Sequence, residues 1–199
     1  MRALIKRRRH GAGSERGSAL VEAAFITPLV FLVIFGILEF GWAFHDKLTV
    51  GNMSQSGART ASTQGNDTLA DYQFVQAIDK AASALPRNQI QYIVLYKAAS
   101  ATDTVPASCS SGTSQTGVCN VYVPANFSAP STQFGCGATA LDRFWCPTAR
   151  KVATTVATGG PPDYVGVYVK VRHDTVTRLF GTGWTFTEDT VAREEARKR

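Results

Sequence analysis

The chain has 199 residues, 44% hydrophobic and 18% charged, which excludes a disordered tail and suits one compact domain plus a membrane segment. Its formal net charge is +6, but Arg2, Lys6, Arg7, Arg8, Arg9 and Arg16 stand against Glu15 alone within residues 1–17, so the remainder is close to neutral. A short basic arm ahead of an apolar run follows the positive-inside pattern of membrane proteins and excludes a phosphate-tracking face for nucleic acid.

The apolar run extends from Ala19 to Phe44, and its only ionisable residues are Glu22 and Glu39. At about 1.5 Å rise per residue it spans a hydrocarbon core of about 30 Å. A cleavable secretory signal has a shorter apolar region with a small-residue cut site behind it. Here the run continues into Trp42, Phe44, His45 and Asp46. It reads as a retained transmembrane helix, with Trp42 and Phe44 at the outer interface. Charge at the bilayer centre costs about 2.5 kcal/mol or more, and less at the edges. Glu39 lies near the aromatic end and is expected to reach the outer interface. Glu22 lies near the cytoplasmic end, roughly 25 Å from Glu39 along the axis, so its natural partner comes from another chain. Pro28 removes one backbone hydrogen bond and predicts a kink, compensated by the Thr27 hydroxyl or a neighbouring chain.

The junction Arg16-Gly17-Ser18-Ala19-Leu20-Val21-Glu22 is a basic leader ending in glycine, followed by a glutamate and a long apolar helix. It resembles the class III leader of type IV pilins and pseudopilins. A cut between Gly17 and Ser18 makes Glu22 the fifth residue, where its carboxylate can neutralise the new terminal ammonium of an adjacent subunit and set register in low dielectric. With Pro28, the segment Gly36-Ile37-Leu38-Glu39-Phe40-Gly41 and the triplet Gly57-Ala58-Arg59, residues 16–62 resemble the TadE-like family, minor pseudopilins of the tight-adherence (Flp) pilus system. This chain has Ala23 directly after the glutamate, where members often carry Phe or Tyr. The resemblance implies a bacterial cytoplasmic-membrane protein. Its implied partners are other pilin or pseudopilin subunits, an inner-membrane pilus assembly platform and a prepilin peptidase.

Residues 45–64 lack proline and are rich in small residues, Gly57 and Ala58 among them. They read either as a helical stem packed against neighbouring chains or as the first helix of the exported domain. Helical periodicity covers Leu69–Leu85, and Gln89–Ala98 reads as a strand. A Ser/Thr/Gly-rich loop follows, which Cys109 staples to a strand at Val118–Val123. Leu141–Ala149 is expected to form a short helix, and Gly159-Gly160-Pro161-Pro162 a turn. Asp163–His173 alternates apolar and polar residues and is the clearest strand. A short helix at Val176–Phe180 and a strand at Trp184–Val191 complete the pattern. The expected fold is α+β: a basic leader (1–17), a transmembrane helix (18–44), a stem (45–64) and an extracytoplasmic domain with an antiparallel sheet (65–199).

Cys109, Cys119, Cys136 and Cys146 all lie downstream of the apolar run, and each consecutive pair is separated by nine residues. That is no zinc spacing, and an even count in an exported domain reads as disulfides. The sequential pairing is favoured among three connectivities; free buried thiols are the alternative. His10, His45 and His173 are scattered, so no metal site is expected, and His173 reads as a surface residue at a strand end. No nucleophile elbow, P-loop or acid–base constellation is present. The sequence therefore calls for no catalytic residue, no cofactor and no small-molecule substrate. Two functions compete: a pseudopilin-like assembly protein, and an uncleaved membrane-anchored binding module. In the second, Glu22 is dispensable and the disulfide-bounded loops carry the function.

Overall fold

The computed structural model describes residues 14–152 and 161–195, with side chains from Gly17 onward. The basic arm up to Gly13 and the Gly159-Gly160 half of the expected turn lie outside the described residues. The chain divides into two compact units, one ending at Gly41 and the other beginning at Trp42.

Helix α1 (Ser14–Gln64) opens the fold and runs through Pro28 without a break in assignment. In the first unit its large side chains, from Leu20 and Phe25 to Ile37 and Phe40, are exposed. A helix that exposes large apolar side chains along most of its length is suited to lipid rather than water. Among the described residues, this is the one helix long and apolar enough to cross a membrane.

The second unit places the last part of α1 and helix α2 (Ala70–Ala81) on one face of a four-stranded sheet. The strands are β1 (Ile90–Ala98), β2 (Cys119–Tyr122), β3 (Tyr164–His173) and β4 (Trp184–Arg193), all paired antiparallel in the order β2-β1-β3-β4. Alternation along β3 sends Val165, Val167, Val169 and Val171 to the helical face. There they join Ile93 and Leu95 of β1, Phe74, Val75 and Ile78 of α2, and Val50, Met53, Ala58 and Ala61 of α1. The part of α1 beyond Gly41 thus contributes side chains to the core of the folded unit.

The opposite face buries Val94, Tyr96 and Ala98 beneath the loop that the Cys109–Cys119 disulfide ties to β2. Gly166 makes this face possible. A Cβ there would lie 2.0 Å from the Tyr96 ring, which cannot retreat because its hydroxyl donates to Asp189 at 2.7 Å.

Two expected short helices are absent. Only Pro147–Ala149 forms a 3-10 turn within 141–149. The backbone before it is committed elsewhere: the Trp145 N–H donates to Asn120 at 2.9 Å, and Cys146 is bonded to Cys136. Residues 176–180 form the β3–β4 loop instead of a helix. Arg178 there has φ 58°, which no α-helix accepts. Both disulfides are present and sequential, Cys109–Cys119 and Cys136–Cys146.

Candidate functional site

Gly17 lies in α1 with nothing within 4 Å of where a Cβ would sit, and Ser18 and Glu22 are exposed. Ser18 and Glu22 are four residues apart, so they lie on the same helical face, one turn from each other. A carboxylate in that position stands beside the amino group that would arise if the chain began at Ser18. Pro28 lies within the exposed apolar stretch, and Glu39 is fully buried.

Gly57, Ala58 and Arg59 fall in the second unit. A Cβ on Gly57 would lie 2.6 Å from Ile78 and 2.8 Å from Phe74, so the missing side chain lets α1 and α2 touch. Ala58 is also buried in the unit's core. These two residues are spent on internal packing and offer no surface to a neighbour. Arg59 is exposed and lines a shallow open depression with Asn52, Gln55, Ser56 and Ala81.

The family model described as TadE-like protein matches residues 17–59. The N-terminal segment of this chain is TadE-like. No curated protein and no solved structure matches the chain.

The TadE-like segment thus joins both units: it begins at Gly17, runs through the apolar stretch and ends at Arg59, inside the folded unit's first helix. It contributes Asp46, whose Oδ2 lies 2.6 Å from Nδ1 of His173. His173 is not on the surface: it is 3% exposed and stacks on Trp184 with ring centroids 5.7 Å apart. The signal was present in the sequence, because His173 continues the odd-numbered phase of Val165, Val167, Val169 and Val171.

Beyond the TadE-like segment, the main polar cluster is buried. Asp71 of α2 accepts hydrogen bonds from Arg150 at 2.6 Å, Asn120 at 2.8 Å and Tyr122 at 2.5 Å. Arg150 also donates to the Trp145 carbonyl and lies 4.3 Å over the Trp145 ring. Burial raises the Asp71 pKa, with Arg150 and the Tyr122 and Asn120 donors opposing it. Burial beside Asp71 likewise pushes the Tyr122 phenol well above its ordinary value. Glu194 is 1% exposed, and neither of its oxygens has a hydrogen-bond partner among the described residues. Burial pushes its carboxyl up to about 8; Arg150 opposes the rise, and Asp71 and Asp163 add to it.

This cluster joins α2, β2 and the segment ahead of β3. Its side chains are buried, so the arrangement suits holding elements together. Asp142 acts similarly, its carboxylate accepting the backbone N–H groups of Gly135 and Cys136 at 2.8 and 2.9 Å. Among the described residues, no three His, Cys, Asp or Glu side chains gather as a metal site.

Proposed function

We propose that this chain is a non-enzymatic, pseudopilin-like protein of the bacterial cytoplasmic membrane, serving assembly of a tight-adherence (Flp-type) pilus or a related envelope secretion or adhesion machine. The observation that carries the reading is the coincidence of the TadE-like match, residues 17–59, with the apolar part of α1 and with Glu22 one turn from Ser18. In this reading α1 crosses the membrane once, the basic arm stays cytoplasmic and the disulfide-bonded unit lies outside. Prepilin peptidase cuts between Gly17 and Ser18, and Glu22 receives the terminal ammonium of a neighbouring pilin or pseudopilin subunit. Its partners are those subunits and the inner-membrane platform that inserts them. Arg59, on the exposed face of α1, is the member of the Gly57-Ala58-Arg59 triplet available to them.

The test compares the native chain with Glu22→Ala in the producing cell. The expected mature protein starts at Ser18 by intact mass and N-terminal sequence. Glu22→Ala should be exported with both disulfides formed, yet fail to co-purify with pilus subunits. Normal incorporation of that variant would sink the register role, and a chain retaining Met1 would sink the processing step.

A further inference from the structure

The second unit distributes its exposed apolar side chains unevenly. Among its described residues, the large hydrophobic side chains left exposed are Trp42, Phe44, Leu48, Val123, Val176 and Leu179. All but Val123 gather at one end. Trp42, Phe44 and Leu48 lie on the first turns of α1 in this unit, and Val176 and Leu179 lie in the β3–β4 loop.

Contacts between α1 and the sheet show that these two groups share that end. Ser62 donates to the Arg193 carbonyl, Ser54 to the Val167 carbonyl, Lys47 to the Thr187 carbonyl, and Asp46 meets His173. Descending α1 from residue 62 to 46 therefore descends β4 from its last residue towards its first. The ten-residue loop between the paired ends His173 and Trp184 continues in that direction, past Asp46. Trp42 lies about 6 Å further down the helix than Asp46. A ten-residue loop folded back on itself can reach about 16 Å, which is enough for its tip to extend to the level of Trp42.

The loop is built rather than loose. Thr175 is buried and donates to the Gly181 carbonyl, closing the base, while Val176 is 66% and Leu179 56% exposed. The loop's exposed residues are mixed, with Asp174, Arg178 and Thr182 beside Val176 and Leu179, and the two aliphatic side chains add to the apolar end formed by Trp42, Phe44 and Leu48. Arg178, exposed at the tip, adds a cation. Aromatic and aliphatic side chains at the same end as a cation are the composition of a protein surface at the lipid headgroup layer.

We infer that the β3–β4 loop is a lipid-contacting element, its Val176 and Leu179 side chains seated in the outer interface of the bilayer with Arg178 among the phosphates. The inference rests on the reading that α1 crosses a membrane and leads outward into the folded unit.

The experiment uses the full chain in vesicles of phosphatidylethanolamine and phosphatidylglycerol. The four native cysteines are paired, so Leu179→Cys offers one thiol for an environment-sensitive fluorophore. Asn66→Cys, in the exposed turn at the far end of α1, is the aqueous control, and Leu32→Cys, in the apolar run, is the membrane control. The label at 179 should emit to the blue of the label at 66 and lose most of its intensity to nitroxide lipids spin-labelled near the headgroup. Adding Val176→Asp should restore emission towards that of the label at 66. Three results overturn the inference: quenching of the 179 label by aqueous iodide but not by lipid, protection from both quenchers (protein covers the loop), or unchanged lipid quenching with Val176→Asp. If the Leu32 label escapes nitroxides placed near the bilayer centre, the membrane-spanning reading fails first; if it is quenched while the 179 label is not, only the loop inference fails.

Discussion

Glu194 and His173 are both buried polar groups, yet they act differently because one has a hydrogen-bond partner and the other does not. Asp46 accepts from His173, so that pair ties the start of the folded unit's first helix to the end of β3. Glu194 has been taken out of water with no hydrogen-bond donor among the described residues, which makes its neutral form the favoured one. Its folded pKa of about 8 stands above the ordinary 4.5. Between those values the folded chain holds a proton that the unfolded chain has released. This group's contribution is therefore fully present at acid pH and is lost as pH rises through that window, by at most about 1.4 kcal/mol per pH unit. Asp71, raised in the same direction, slopes the same way. Glu194→Gln should flatten the fall in stability between pH 5 and 8 and raise the denaturation midpoint at the alkaline end, measured by urea unfolding of variant and native chain side by side. An identical slope in the two would show that Glu194 does not hold its proton in the fold.

At the scale of elements, Asp71 and Arg150 clasp three pieces of chain that no local pattern connects. The pair is fully buried, and Asp71 also takes Asn120 and Tyr122 of β2. Removing one member of a buried pair leaves the other uncompensated, at a cost of about 3–5 kcal/mol, whereas replacing both by apolar groups is often near neutral. Asp71→Ala should accordingly destabilise more than Arg150→Met, because it strands a buried guanidinium, and the double variant should lose much less stability than the sum of the two single losses. Additive losses in a double-mutant cycle would mean the clasp is not a coupled unit. This cluster also marks where sequence reading stops. β1, β2, β3 and β4 were legible to within a residue or two because alternation and flanking turns are local signals. The apolar run was legible for the same reason; Glu39, expected to reach the outer interface, is instead fully buried. Asp71 and Arg150 are 79 positions apart, and nothing in either neighbourhood announces the other. The absent helix at 141–149 fails on the same ground: Asn120 takes the Trp145 N–H and Cys136 holds the Cys146 side chain from a distance, overriding a weak helical pattern.

Across the whole molecule, the TadE-like segment supplies both the apolar run long enough to cross a membrane and a wall of the folded unit's core. From residue 42 onward α1 supplies Val50, Met53, Ala58 and Ala61 to the packing over the sheet, and the Ser54 hydroxyl satisfies the Val167 carbonyl at 3.0 Å. Burying one Val or Met side chain contributes about 1.5–3 kcal/mol. Withdrawing this helix removes those side chains and also uncovers the valines of β3 and the α2 residues facing them. That loss is of the order of a whole domain's stability, about 5–15 kcal/mol. The same small residues that suggested a surface for neighbouring chains are thus required inside, where Gly57 lets α2 approach. A fragment spanning residues 42–199, produced with its disulfides formed, should unfold in one cooperative transition and show fixed near-ultraviolet dichroism from Trp145 and Trp184. A fragment spanning 65–199 keeps every strand and both disulfides but should lose that signal and melt without a sharp transition. If the shorter fragment unfolds as cooperatively as the longer one, residues 42–64 are an appendage to a self-sufficient sheet, and the surface of α1 now assigned to the core is available to other subunits after all.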